Sequence, residues 1–75
     1  MANKERSKNF LNIYQGYYQN YSLVYGREEA RRRAIIDSLQ VMGYDRDTAE
    51  RVYDRWRRRG SSTIGGKLLD IAEKV

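Results

Sequence analysis

The chain has 75 residues, 15 of them Lys or Arg against 10 Asp or Glu, for a formal net charge of +5, and it contains neither cysteine nor histidine. A chain this short forms one domain (residues 1–75), because it buries only about 60% of its unfolded surface and cannot divide that between two cores. Without Cys and His, disulfide staples, thiolate or imidazole metal sites and Ser-His or Cys-His triads are excluded; no cofactor is expected, and stability has to come from packing, helped by self-association if needed.

Proline is absent too. A chain without it and rich in Arg, Glu, Ala, Leu and Asp reads as all-α, and the pattern predicts a compact bundle of three to four short helices at about 4–21, 27–42, 46–59 and 63–75. The polar leader, residues 1–8, is expected to fray. Phe10, Tyr14, Tyr17, Tyr18 and Tyr21 then recur at helical offsets, with Gly16 inside the helix at a cost of about 1 kcal/mol against alanine. Ser22 to Tyr25 connects to the next element, with Gly26 as the breaker.

The second helix opens with Glu28 and Glu29, where carboxylates meet the positive end of the helix dipole. Ala30, Ala34, Ile35, Ser38, Leu39 and Met42 form one narrow face. Gly43 supplies the left-handed residue that ends a helix, and Tyr44 beyond it folds back on the apolar side. Asp45 is a good cap for the third helix, whose apolar positions are Ala49, Val52, Tyr53 and Trp56. Gly60 closes it, Ser61 to Thr63 make a polar turn, and Ile64, Leu68, Ile71, Ala72 and Val75 define the last helix.

The segment GSSTIGGKLL, residues 60–69, has two glycines at phosphate-loop spacing, but Gly66 stands where the loop needs lysine and no hydroxyl follows Lys67. Glycines that allow a close helix contact near a capped helix start explain it better. The carboxylate pairs Asp45 with Asp47 and Glu28 with Glu29 sit at helix starts, where acids are favoured without catalysis. An enzyme is the least expected class, since a domain this small has little volume for a walled pocket.

Eleven of the basic residues are arginine, the side chain suited to bidentate contact with carboxylate or phosphate. Arg31, Arg32 and Arg33 are expected on the exposed sides of the second helix, and Arg55, Arg57, Arg58 and Arg59 surround Trp56 near the end of the third. Glu50 with Arg46 and Asp54 with Arg58 are expected to neutralise part of that charge. Three readings stand side by side: a solvated face, a dock for an acidic protein, or a hand for phosphate. Five of seven tyrosines fall between Tyr14 and Tyr25. They either cover a shallow core with their hydroxyls in water or form a contact surface, for a partner, a dimer seam or stacked bases.

At Ile36, Leu39, Met42, Gly43, Tyr44, Ala49 and Val52 the chain resembles the ubiquitin-associated domain, a three-helix module with a Met-Gly-aromatic loop before an alanine-bearing helix. The resemblance implies a shallow apolar binding patch at Met42, Gly43, Tyr44, Leu68 and Leu69. The tyrosine helix and the basic stretch from Arg57 to Thr63 have no counterpart in that family. Residues 45–55, DRDTAERVYDR, also resemble a stretch of short phage anti-CRISPR proteins, which act by occupying a surface of a host nuclease complex.

The leading expectation is a small non-enzymatic protein-binding modulator, an anti-defence inhibitor of phage type, whose partner is a host protein or protein complex. Its contact surface is expected at Tyr17, Tyr18 and Tyr21 with Arg55, Trp56, Arg58 and Arg59, since a few aromatic and arginine residues decide most interfaces. The rivals are a helix-turn-helix-like nucleic-acid binder and a small virion or structural subunit that forms a homo-oligomer. No stretch has the apolar length of a membrane span and MANKERSKN lacks a signal-peptide core, so a cytoplasmic protein, in the host cell if phage-encoded, is expected, with no membrane partner.

Overall fold

The computed structural model describes residues 2–60 and 64–74. Four helices, α1 (Ala2–Tyr21), α2 (Arg27–Val41), α3 (Arg46–Arg58) and α4 (Gly66–Lys74), make an all-α bundle of 35 × 24 × 22 Å. Each helix packs on its neighbours in the ring α1–α2–α3–α4–α1, and among the described residues the backbones of the diagonal pairs α1–α3 and α2–α4 stay apart. Side chains from all four meet in the centre: Phe10 and Tyr14, Ala34 to Ile36 and Leu39, Ala49, Val52, Tyr53 and Trp56, and Leu68, Leu69, Ile71 and Ala72. Among the described residues no helix is long and apolar enough to cross a membrane.

Residues 2–8 of the polar leader form the first turns of α1, which starts at Ala2 rather than at about residue 4. Arg6 ties them down: its Nη1 donates to Glu73 Oε1 at 3.0 Å and its Nη2 donates to the Tyr44 hydroxyl at 2.7 Å. One guanidinium thus joins α1 to the end of α4 and to the α2–α3 turn.

The end of α2 follows the expected chemistry. Gly43, at φ +108°, lets its N–H donate to Gln40 O at 3.0 Å while the N–H of Tyr44 donates to Leu39 O at 3.1 Å, and Tyr44 packs on the core. That pair of bonds is the Schellman arrangement, which satisfies carbonyls that a helix end otherwise leaves open. Glycine is required at such a φ because a Cβ would crowd the following carbonyl.

Asp45 starts α3, its Oδ1 accepting from the Thr48 N–H at 2.7 Å. That backbone hydrogen bond holds the carboxyl below its ordinary value of 3.8. A depressed folded pKa contributes stability that is present above the unfolded value and is lost as pH falls through the folded one. The melting temperature of the wild type is therefore expected to drop, relative to Asp45→Asn, as pH is taken below about 4, and parallel melts across that range check it.

The last helix starts later than the expected residue 63. Gly65 has φ +137°, outside the right-handed helical region, and its carbonyl accepts from Leu69 N at 3.1 Å, so it stands just before the first turn. The polar turn Ser61 to Thr63 and the expected last position, Val75, lie outside the described residues.

α2 is packed on two sides, by α1 and α3, and its buried set Ala30, Ala34, Ile35, Ile36, Ser38 and Leu39 is wider than one narrow face. Ser38 is fully buried and, among the described residues, its hydroxyl has no hydrogen-bond partner. An unsatisfied buried hydroxyl costs about 1–3 kcal/mol, so Ser38→Ala is expected to raise stability by roughly 1 kcal/mol in urea unfolding.

Candidate functional site

α3 is the most strongly amphipathic helix, and its inward side is anchored by Trp56, only 3% exposed, whose ring lies 6.0 Å from that of Tyr53. Trp56 therefore belongs to the core and is removed from the expected contact surface. A large aromatic at this position must either bury or expose a broad apolar area, and the bundle buries it.

With Trp56 inward, the 100° step of the helix fans its arginine neighbours to three sides. Arg57 lies toward α2, where a hollow of about 170 Å³ is lined by Glu28, Arg31, Tyr53, Trp56, Arg57 and Gly60. Arg55 and Arg59 lie toward α4, around a cleft of about 50 Å³ shared with Asp70, Ile71 and Lys74. Arg51 and Arg58, seven residues apart, share the outward side with Asp47 and Asp54. All five arginines are exposed.

Among the described residues, none of these five makes an ion pair. The expected Arg46–Glu50 pair is present at 3.7 Å, and the expected Asp54–Arg58 pair does not form. Part of the charge at this end complements the negative pole of α3. Arg55, Arg57, Arg58 and Arg59 stand at that end and Arg51 stands in mid-helix, where the pole does not call for it.

The arginines of α2 are placed differently from the expectation that all three face solvent. They are half-buried. Arg33 donates from Nε to Glu29 Oε2 at 2.7 Å and its guanidinium lies over the Tyr25 ring at 4.2 Å. Arg32 reaches Glu29 at 3.7 Å and Glu50 at 3.8 Å, linking α2 to α3. Arg31 sits beside Tyr14, and its buried Nε has no hydrogen-bond partner among the described residues. Burial pushes the Tyr14 phenol above its ordinary value, and the positive charge of Arg31 offsets part of that rise.

The tyrosines form two ladders along α1. Phe10, Tyr14 and Tyr18 stack at centroid distances of 6.3 and 5.7 Å, and Tyr17, Tyr21 and Tyr25 follow at 6.2 and 5.9 Å. Tyr17, Tyr18 and Tyr21 are half-buried and packed on the core. The Tyr21 hydroxyl donates to Asp37 of α2, and that bond raises its pKa. These rings seal the α1–α2 seam more than they face outward. Because α1 and α3 are diagonal in the ring, the structure does not join the tyrosine and arginine halves of the expected surface through a helix contact.

The apolar patch implied by the ubiquitin-associated resemblance is not open either. Leu68 and Leu69 are core residues, Met42 and Tyr44 are half-buried, and the Tyr44 hydroxyl is held by Arg6. Of its members only Gly43 is exposed. Two exposed residues that periodicity did not mark are Leu23 at 84% and Val24 at 77%, in the α1–α2 turn. What precedes the glycine-containing segment at 60–69 is a helix, not the strand a phosphate loop requires. No protein-family model, no curated protein and no solved structure matches the chain.

Proposed function

We propose that this protein is a non-enzymatic protein-binding modulator that presents the arginine-bearing end of α3 to an acidic surface of its partner. The observation that carries the reading is the fan of Arg51, Arg55, Arg57, Arg58 and Arg59, exposed and without an ion pair among the described residues, on a helix held rigid by buried Trp56. The helix backbone is already ordered, so binding has to order only the arginine side chains, at about 0.5–1.5 kcal/mol each. An inhibitor of phage anti-defence type, blocking a surface of a host protein complex, is a role that such a module fills.

The same guanidiniums favour a second reading, in which α2 and α3 act as a helix-turn-helix on nucleic acid. Against it stand Asp47 and Asp54, exposed on the outward side with Arg51 and Arg58. Carboxylates oppose any anionic surface, and a duplex, with one negative charge about every 1.7 Å of its axis, opposes them along its whole length, whereas a protein surface can place its acids beside the arginines alone. Fluorescence anisotropy with labelled duplex and single-stranded oligonucleotides separates the two. The protein-binding reading predicts at most the non-specific range, Kd about 10⁻⁴–10⁻⁶ M at physiological salt. Nanomolar binding that weakens about a thousandfold between roughly 50 and 200 mM salt would transfer the arginines to phosphate.

A further inference from the structure

In a chain one-third of whose residues are charged, the eighteen from Asn9 to Gly26 include no Lys, Arg, Asp or Glu. One side of α1 in this run is used inside the bundle by Phe10, Tyr14, Tyr17, Tyr18 and Tyr21. The other side presents Asn12, Gln15, Gly16, Gln19 and Asn20, all exposed, and the helix runs on into exposed Leu23 and Val24.

Gly16 has no reason within the chain. Its φ is not positive, and apart from its own helix backbone and immediate neighbours nothing lies within 4 Å of where a Cβ would stand. Glycine in a helix interior weakens the helix, so the compensation has to come from outside it. A bare backbone in the middle of an exposed face lets another helix come close.

The amides decide which helix. Each Asn or Gln side chain both donates and accepts, so a face made of them is complementary to itself, which a face of arginines is not. A two-fold interface needs such a self-complementary patch. Two copies of a +5 chain repel, and this neutral face is where they can meet without opposing like charges.

We propose that a second copy of this chain docks here, α1 against α1 across a two-fold axis near Gly16, with Leu23 and Val24 closing the ends of the seam. The seam is the amide side of α1, not the tyrosine side, whose rings are occupied in packing. A contact one helix wide falls below the roughly 800 Å² per partner of a standard interface, so the dimer forms at micromolar rather than nanomolar concentration. With α3 diagonal to α1, the dimer presents two arginine fans, and an acidic partner with two sites gains avidity from it.

Sedimentation equilibrium of the full chain from low micromolar to sub-millimolar concentration tests this. The wild type is expected to move from the monomer mass toward twice that mass. Gly16→Leu is expected to stay monomeric while melting higher than the wild type in dilute solution, because leucine favours the helix and meets no obstacle at this position. Asn20→Arg, which places like charges near the axis, is expected to weaken the dimer at least tenfold at low salt and less at high salt. A wild type that remains monomeric throughout overturns the proposal, as does a Gly16→Leu or Asn20→Arg chain that dimerises as tightly as the wild type. The arginine end of α3 is untouched in both variants, so failure here leaves the partner-binding reading to its own test.

Discussion

Replacing Trp56 with alanine is expected to remove about 3–5 kcal/mol of the chain's stability at 25 °C. The ring is 3% exposed, lies tilted against Tyr53 and belongs to the core cluster to which all four helices contribute. Truncating a buried Phe or Trp to alanine costs about 3–5 kcal/mol, because the cavity left behind collapses only in part. A chain of this size has a total stability of about 4–11 kcal/mol at the usual 0.05–0.15 kcal/mol per residue, so the loss is a large share of it and exhausts it at the low end of that range. Circular dichroism during urea unfolding reads the effect. A Trp56→Ala chain that keeps its stability within about 1 kcal/mol would return the residue to the contact surface and remove it from the core.

Phe10→Ala is expected to cost a similar amount, about 3–5 kcal/mol, and to do so in one cooperative transition. Phe10 is fully buried and forms the main apolar anchor of α1, together with Tyr14. If the last three helices formed a self-sufficient module of the ubiquitin-associated kind, losing Phe10 would only detach α1. The shared core argues otherwise, since α1 packs on both α2 and α4 and Arg6 bonds to Tyr44 and Glu73. The midpoint of urea unfolding is therefore expected to fall with little change in slope, and Trp56 fluorescence and helicity should be lost together. Two separated transitions, with Trp56 unaffected by the first, would contradict a single core.

Local chemistry made much of this fold legible. Gly43 and Tyr44 at the end of α2, Asp45 at the start of α3 and the inward stripe Ala49, Val52, Tyr53 and Trp56 each depend on residues within one or two turns. Features that depend on where other helices lie were less visible. Ile36 is buried because α2 is packed on two sides, and no single stripe signals that. Arg6 orders the first turns through partners 38 and 67 residues away, beyond the reach of any window. Gly65 delays α4 by its backbone angle, whereas the apolar period alone began the helix earlier.

The site divides in the same way. The arginine cluster was plain in the sequence, but its spread to three sides of α3 follows from Trp56 being inward, which composition does not decide. The tyrosines read as a contact surface because five cluster in twelve residues; stacking along α1 and the Tyr21–Asp37 bond absorb most of them into the α1–α2 seam. Exposed Leu23 and Val24 lie in a turn, where periodicity has no meaning.

The measurement closest to the central claim is capture of partners from nuclease-treated cell lysate with the wild-type chain and with Arg58→Glu/Arg59→Glu. Both residues are exposed, and reversing them at the end of α3 costs roughly 0.3–1 kcal/mol each through the helix dipole, which leaves the bundle folded. The account predicts a protein retained by the wild type after nuclease treatment and lost, by at least tenfold, with the reversed pair. Equal capture by both chains, or capture that disappears with the nucleic acid, would contradict it.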